Sequence, residues 1–125
     1  DTLRVSVLSF GFKYGIPVDA DMVADVRFLP NPYWVPDLRE QTGKDPEVST
    51  YVLSREGALA VLDHYADVIG LVAEGYIREG KRYLTMGIGC TGGKHRSVAM
   101  VERMAQILRD QGYQVVVQHR DLGRE

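Results

Sequence analysis

The segment RYLTMGIGCTGGKHRS, residues 82–97, joins an apolar run to a glycine-rich stretch and three successive bases. Its pattern predicts a β-strand over 82–88, a glycine-rich loop over 89–93 and a helix over 94–111. The predicted buried stripe of that helix consists of Val98, Val101, Ala105 and Leu108, and Gly112 is placed to cap its end. A strand, a tight loop and a helix in succession are typical of α/β proteins with parallel sheets, so this segment indicates the fold class.

Three other stretches predict strands because they alternate apolar with polar residues or are rich in β-branched residues. They cover residues 3–9, 22–29 and 113–119. Asp19 and Asp21 precede the second of these strands and are candidate N-caps for a short helical turn.

A second long helix is predicted from Ser54 to about Gly80, where apolar residues recur at three- and four-residue spacing. Residues 30–46 hold four of the five prolines and are predicted to form an ordered but irregular excursion. We therefore expect a single α/β domain with a mostly parallel sheet, two long helices and a three-layer-like arrangement.

Composition limits the function classes. The 125 residues are 45% hydrophobic and 26% charged, as in one globular domain. Fifteen Lys and Arg against 17 Asp and Glu give a net charge of −2, so no overall basic surface for nucleic acid is expected. The single cysteine excludes an internal disulfide, and no apolar run reaches the roughly 18 residues of a membrane span. Without a secretory signal, a cytoplasmic location is expected, and because the chain opens at Asp1 we expect a segment of a longer protein.

The glycine-rich loop has the composition of an anion site. Glycines let successive backbone N–H groups converge on one point, and the N-terminus of the following helix adds partial positive charge. Lys94, His95 and Arg96 are predicted in the first helical turn, where bases oppose the helix dipole unless an anion is bound. Ile88 and His95 stand where a Walker A loop has its first Gly and its Ser or Thr. The loop therefore predicts phosphate or carboxylate binding rather than nucleotide–magnesium binding.

A cysteine phosphatase is an alternative interpretation of the same loop. Cys90, Arg96 and Ser97 have the spacing of the nucleophile, the phosphoryl clamp and the following hydroxyl residue of that class. The departures are Gly89, where phosphatases typically have His, and an extra residue in the Trp-Val-Pro-Asp segment 34–37 that would supply the general acid. We favour a small buried Cys90 in a tight turn, and so predict no catalytic residue.

Other polar and aromatic residues have two interpretations each. Asp25 and Arg27, two apart on a predicted strand, share one face and either contact a sugar ligand and its anion or form an ion pair at the sheet edge. Tyr33 and Trp34 either stack on a sugar or base or anchor the proline loop. Lys13 is either a ligand contact at a strand end or a solvated lysine.

Three long segments carry a family resemblance: SFGFKYG at residues 9–15, DVRFLPNP at 25–32 and GCTGGKHRS at 89–97. They resemble the C-terminal domain of the RapZ (also YvcJ) family over nearly the whole chain. The resemblance implies a metabolite-sensing domain for an amino-sugar phosphate or nucleotide sugar of cell-wall precursor synthesis, such as glucosamine-6-phosphate or UDP-N-acetylglucosamine. Its implied pocket residues are Asp25, Thr91, Gly92 and Arg96, and Tyr33 stands where family members often have His.

The resemblance also implies partners and a second domain. An N-terminal P-loop domain with ATPase and GTPase activity would bind ATP or GTP with magnesium, whereas the present domain would need no cofactor and no metal. Homo-oligomers are expected, a membrane partner is not, and a small-RNA-binding adaptor is a further alternative. Because Asp121 and Glu125 are interspersed with Arg120 and Arg124 in the tail, RNA binding is expected to be weak.

The predicted ligand-binding residues lie on the strand ends and loops described above. They are Ser9, Lys13, Asp25, Arg27, Asn31, Tyr33, Gly89, Cys90, Thr91, Gly92, Gly93, Lys94, His95 and Arg96.

Overall fold

Four parallel strands form one sheet in the order β2-β3-β1-β4 in the computed structural model, which describes residues 2–124. The strands are β1 (Arg4–Gly11), β2 (Met22–Asp25), β3 (Tyr83–Cys90) and β4 (Gln114–His119). β1 lies at the centre of the sheet, with β3 on one side and β4 on the other. The predicted α/β fold, formed as one small domain, is confirmed.

Within these residues, three α-helices and two short 3-10 turns connect the strands. The helices are α1 (Pro46–Leu53), α2 (Ala58–Arg78) and α3 (Arg96–Asp110), and the turns cover Phe12–Tyr14 and Pro32–Trp34. α3 packs against β1, β3 and β4, while α1 and α2 pack against α3. All four residues of the predicted α3 stripe are at most 1% exposed, so burial of this stripe holds the helix on the sheet. No helix of residues 2–124 combines the length and apolar character needed to cross a bilayer.

α1 begins at Pro46, where the proline-rich excursion ends, in a stretch for which no helix was predicted. Pro46 opens it, at a position where a missing backbone N–H removes no helical hydrogen bond. The predicted helix start at Ser54 is wrong, because Ser54 ends α1. α2 begins instead at Ala58, after Gly57 has reversed the chain with a left-handed φ of 86°.

The predicted helical turn at Asp19 and Asp21 is also wrong, because Asp21 pairs with the sheet. Its amide donates to the carbonyl oxygen of Thr85 at 2.8 Å, and its Oδ2 accepts from the Thr85 amide at 2.8 Å. Asp21 therefore behaves as an extension of β2 and fixes its register on β3.

Strand lengths differ from prediction at the carboxyl edge. β2 ends at Asp25 rather than at residue 29, because the Leu29 amide donates to the Val26 carbonyl and closes a turn. β3 continues past residue 88 to Cys90, since Gly89 lets it lie against the ring of Phe10: a Cβ on Gly89 would lie 2.5 Å from that ring. The longer β3 carries the glycine-rich loop to the end of β1.

The sheet face away from α3 is partly open. Along β4, Val115 and Val117 are half-buried, whereas Val116 and Gln118 are exposed. The connection from β1 to β2 crosses this open face, where Pro17 lines a groove with β-strand residues. Because the strands are parallel, the loops after β1, β2 and β3 all lie at the carboxyl edge of the sheet. Ligands bind at this edge in parallel α/β sheets.

The surroundings of Gly43 show how closely the proline-rich excursion packs on α3. Its amide donates to the carbonyl of Lys94 at 2.9 Å, and an added Cβ would overlap the His95 carbonyl oxygen and the Ala99 amide nitrogen. Gly43→Ala should therefore lower the free energy of unfolding by about 1–3 kcal/mol, as overpacking does. Urea denaturation measures this.

Gly70 is the matched control. It lies on the exposed side of α2, and nothing is within 4 Å of the position that an added methyl group would occupy. Gly70→Ala should raise the free energy of unfolding by about 0.5–1 kcal/mol, because alanine loses less backbone entropy. Equal stability of both variants and the parent protein would contradict the close packing of Gly43.

Candidate anion-binding site

The loop of residues 91–95 connects β3 to α3 and rests on the end of β1. Gly93 has a φ of 78°, and a Cβ on it would lie 2.8 Å from the Gly11 amide nitrogen. A Cβ on Gly11 would lie 2.5 Å from the carbonyl carbon of Gly92. The Lys13 amide also donates to the Thr91 carbonyl at 3.2 Å. Two glycine segments therefore contact each other backbone to backbone, and a side chain on either would separate them.

The backbone N–H groups of the loop are left without acceptors. From residue 91 to residue 95, none donates a hydrogen bond to any atom of residues 2–124. α3 begins at Arg96, and His95 is its N-cap, so the prediction that Lys94 and His95 lie in the first helical turn is wrong. The unpaired amides and the N-terminus of α3 form a concentration of donors suited to an anion.

Arg96 is the central side chain of the site. It is 5% exposed, and its Nη1 donates to the carbonyls of Arg27 at 3.1 Å and Leu29 at 2.9 Å. Nη2 donates to the Thr91 hydroxyl at 3.3 Å, whereas the buried Nε has no partner among the described residues. Nε and Nη2 share the guanidinium edge that binds two oxygens of a carboxylate or phosphate. Unpaired buried donors are rare, so this edge is a candidate anion contact.

His95 attaches the excursion to the loop. Its Nε2 lies 3.0 Å from the Arg39 carbonyl oxygen, and the residue is 5% exposed. Burial lowers the pKa of His95, and the charge of Lys94 lowers it further, against the raising effect of the nearby carbonyls. The imidazole is therefore neutral at pH 7, with Nε2–H donating to Arg39, and contributes no charge to the site.

A cleft of about 550 Å³ opens above the loop. Nine of the predicted residues line it: Lys13, Asn31, Tyr33, Cys90, Thr91, Gly92, Lys94, His95 and Arg96. Trp34, Arg39 and Glu40 line it as well, although Arg39 and Glu40 were not predicted. Nothing local in the sequence marks these two, because they reach the cleft only when His95 and Lys94 hold the excursion in place.

Five predicted residues do not line this cleft. Asp25 and Arg27 form a two-pronged ion pair beside it, with Nη2–Oδ2 and Nε–Oδ1 distances of 2.7 and 3.0 Å. The hydrogen bonds from Arg27 lower the pKa of Asp25, and Asp25 in turn raises the pKa of Arg27. Gly89 packs closely against the rings of Phe10 and Phe12, and Gly93 packs against the backbone of Gly11.

Ser9, the remaining one, is buried at the end of β1 and bonded to β4. Its Oγ lies 2.7 Å from His119 Nδ1, and His119 Nε2 lies 2.7 Å from Glu102 Oε2 on α3. This chain of polar side chains ties three elements together. Because Ser9 is 0% exposed, it supports the site from below.

Cys90 lies at the base of the cleft and is 3% exposed. Its Sγ is 3.1 Å from Ser97 Oγ and accepts from the Ser97 amide at 3.4 Å. Asp37, the acid of the Trp-Val-Pro-Asp segment, lines a separate groove beside α1. The described residues also contain no group of three or more His, Cys, Asp or Glu side chains arranged to hold a metal ion.

Asp121 is a buried acid that supports the loop from the tail. It is 0% exposed; its Oδ2 accepts from the Gly11 amide at 2.7 Å and from Arg120 at 2.9 Å, and its Oδ1 accepts from Arg124 at 2.9 Å. A polar tail was predicted, but not this burial. Asp121 therefore fixes the end of β1 against which Gly93 packs.

These features define a class: a small parallel α/β domain with a cationic, amide-lined cleft at the carboxyl edge of its sheet. The sequence profile of the RapZ C-terminal domain matches residues 3–123, and the chain belongs to that family. The expected family resemblance is confirmed.

Curated relatives are similar to nearly the whole of this chain. The chain is 63% identical over 123 residues to a nucleotide-binding protein of Streptomyces coelicolor, which covers 98% of this chain and 41% of that protein. It is 62% identical over 123 residues to a nucleotide-binding protein of Frankia alni, covering 98% and 43%. A nucleotide-binding protein of Thermobifida fusca is 60% identical over 123 residues, covering 98% and 42%. The chain thus spans about two fifths of the length of these relatives.

Asp121→Asn tests the tail contact. Burial alone would raise the pKa of Asp121, but hydrogen bonds from Arg120, the Gly11 amide and Arg124 outweigh it, so the pKa lies below its ordinary 3.8. The folded state then binds fewer protons than the unfolded chain, and this stabilisation is complete above pH 3.8 and is lost as the pH falls through the folded pKa. The variant should lose about 2–3 kcal/mol at pH 7.

Urea denaturation at pH 7 and pH 3 measures this effect. The difference between the parent protein and the variant should shrink at the lower pH. Asp63→Asn, an exposed acid on α2, is the control and should leave stability unchanged. A pH-independent difference would contradict the proposed charge on Asp121.

Proposed function

We propose that this domain binds an amino-sugar phosphate or a nucleotide sugar, of the glucosamine-6-phosphate or UDP-N-acetylglucosamine type, and reports it as the ligand-sensing part of a longer protein. The observation that carries the proposal is the unpaired, buried Nε of Arg96 beside five unpaired loop amides. A phosphate oxygen supplies the acceptors that both groups lack.

The aromatic side chains of Tyr33 and Trp34, which line the cleft, favour a ligand with a sugar or base next to its phosphate. Tyr33 and Trp34 meet edge to face with ring centroids 5.0 Å apart, and Trp34 is 72% exposed. The exposed ring offers an apolar surface for a sugar face or a nucleobase. A cleft of about 550 Å³ is within the usual range for small-molecule sites.

The longer protein is proposed to be an oligomeric, cytoplasmic nucleotide-binding protein. Its relatives are named nucleotide-binding proteins, and the matched region covers only about two fifths of them. An ATP or GTP site with magnesium, and the associated ATPase or GTPase activity, would belong to the remaining part. The present domain would supply regulation.

A cysteine phosphatase is the second candidate, favoured by the contact between Cys90 and Ser97. That contact has the spacing expected of a phosphatase loop. Against it, Cys90 is buried, and Asp37 lines a different groove, so no acid of that segment reaches the sulfur. Binding without covalent chemistry accounts for the same residues with fewer requirements.

RNA is proposed as a weak partner only. Arg120 and Arg124 of the tail are both engaged by Asp121. RNA and the small ligand would compete for the cationic side chains that line the cleft. Because phosphate contacts dominate RNA affinity, few are available to this domain.

Two cleft variants test anion binding. Arg96→Lys keeps the charge but removes the bidentate edge, and should weaken glucosamine-6-phosphate binding by about tenfold or more, the value of a charge-assisted hydrogen bond. Lys94→Gln should weaken it by a smaller factor. Isothermal titration calorimetry in about 0.15 M salt measures both.

Lys44→Gln is the matched control, because Lys44 is exposed and lies outside the cleft. It should bind as the parent protein does. Melting temperatures identify any variant that is partly unfolded, which matters for Arg96 because it also bonds two carbonyls. Unchanged dissociation constants in both cleft variants would contradict the proposed site.

Cys90→Ser tests the phosphatase alternative. The variant should fold and bind the sugar phosphate, and neither it nor the parent protein should hydrolyse p-nitrophenyl phosphate. Hydrolysis by the parent protein that disappears in Cys90→Ser would establish the enzyme instead.

A further inference from the structure

The open sheet face, which is the side of the sheet away from α3, has no helical layer within residues 2–124. α3 packs against β1, β3 and β4 on the other side, and α1 and α2 pack against α3. Of the described residues, those of the connection from β1 to β2 cross the open face. Purely parallel sheets occur almost always with both faces covered. A second covering layer is therefore expected from outside these residues.

The open sheet face is apolar where it is most exposed. Val116 of β4, Tyr83 of β3 and Val18 of the β1–β2 connection all have exposed side chains. Val18 and Val116 line a groove of about 400 Å³, together with Leu8 of β1. Exposed apolar side chains that are grouped in this way mark protein–protein contacts.

The polar side chains that the strands contribute to this groove are uncharged and unpaired. The hydroxyls of Ser6 and Thr85 and the side-chain amide of Gln118 line it, and none of them forms a hydrogen bond within residues 2–124. Ser6 pairs in register with both Thr85 and Val116, so these side chains are neighbours. Apolar groups mixed with uncharged hydrogen-bonding groups suit a contact between domains of one chain, which is more polar than an obligate subunit interface.

The exposed side of α2 is the other apolar surface, and it differs from the open sheet face in charge. Leu71 is exposed there, but Asp63, Asp67 and Glu74 are exposed on the same helix. Charged residues opposite the buried stripe are typical of a helix face in water. The open sheet face is therefore the better docking surface of the two.

The lengths of the relatives indicate what could cover this face. The matched 123 residues are 41% of the Streptomyces coelicolor protein, so about 180 of its residues lie outside the match, enough for one further domain. A domain tethered in the same polypeptide is present at a high effective concentration, so even a modest contact area would hold it in place.

We propose that the open sheet face is the docking surface for the remaining part of the same, longer polypeptide, which forms the second covering layer of the sheet. Val18, Tyr83 and Val116 supply the apolar contacts, and Ser6 and Thr85 gain hydrogen-bond partners. This docking rests on the proposed function only in that the domain belongs to a longer protein, and it is independent of the ligand in the cleft.

Hydroxyl-radical footprinting, with mass spectrometry as the readout, tests the contact by comparing the isolated domain with the longer protein that contains it. Tyr83 and Val116 should lose most of their oxidation in the longer protein, because the contact excludes water from them. Leu71, exposed on α2, is the internal control and should be oxidised equally in both. Equal oxidation of Tyr83 and Val116 in the two proteins would overturn the proposed contact.

A double variant, Val18→Lys with Val116→Lys, places two charges in the contact. It should restore the oxidation of Tyr83 in the longer protein, and it should keep the parental melting temperature in the isolated domain, because both positions are exposed there. Leu71→Lys is the matched control and should leave Tyr83 protected.

Two further outcomes would also overturn the docking. One is protection of Tyr83 that persists in the double variant. The other is protection that already appears in the isolated domain as its concentration rises, which would assign the face to a second copy of the domain. Calorimetry with glucosamine-6-phosphate separates these failures from a failure of the proposed function, because sugar phosphate binding at the cleft does not require the open sheet face to be covered.

Discussion

The backbone contact between Gly11, at the end of β1, and the loop at Gly92 and Gly93 is the constraint on which the site depends. A side chain on Gly11 or Gly93 would lie less than 3.0 Å from the backbone of the other segment. The contact keeps the loop close to the sheet. Buried Asp121 holds the Gly11 amide, so the tail of the domain contributes to the position of a loop much earlier in the chain.

Some charged side chains of the domain are paired with each other, whereas others are available for binding. The ion pairs of Asp25 with Arg27 and of Asp121 with two arginines are satisfied within the domain. Arg96 keeps an unpaired Nε even though it is almost completely buried, and Lys94 and Glu40 extend into the cleft. A buried donor without a partner is costly, so an acceptor oxygen brought by a ligand would stabilise the Arg96 side chain.

The glycine loop and the α3 stripe could be predicted from sequence because both depend on local patterns, a strand followed by glycines and apolar residues at helical spacing. Arg39, Glu40 and the burial of Asp121 could not. Arg39 and Glu40 reach the cleft through the bond of His95 to a distant carbonyl and the approach of Gly43 to α3, which leave no periodic signal. α1 was missed because proline usually breaks a helix. At the first helical position, where Pro46 stands, its missing N–H removes no helical hydrogen bond.

In the proposed function, the amides of residues 91–95 and the Arg96 guanidinium bind the anionic group of the ligand. The most direct measurement is a titration of ¹⁵N-labelled domain with glucosamine-6-phosphate, followed by amide and arginine Nε resonances. We predict the largest shifts at residues 91–95 and at Arg96 Nε, with little change at Val116 and Gln118 on the open sheet face. Saturable binding whose shifts fall on that open face and spare residues 91–96 would contradict the account.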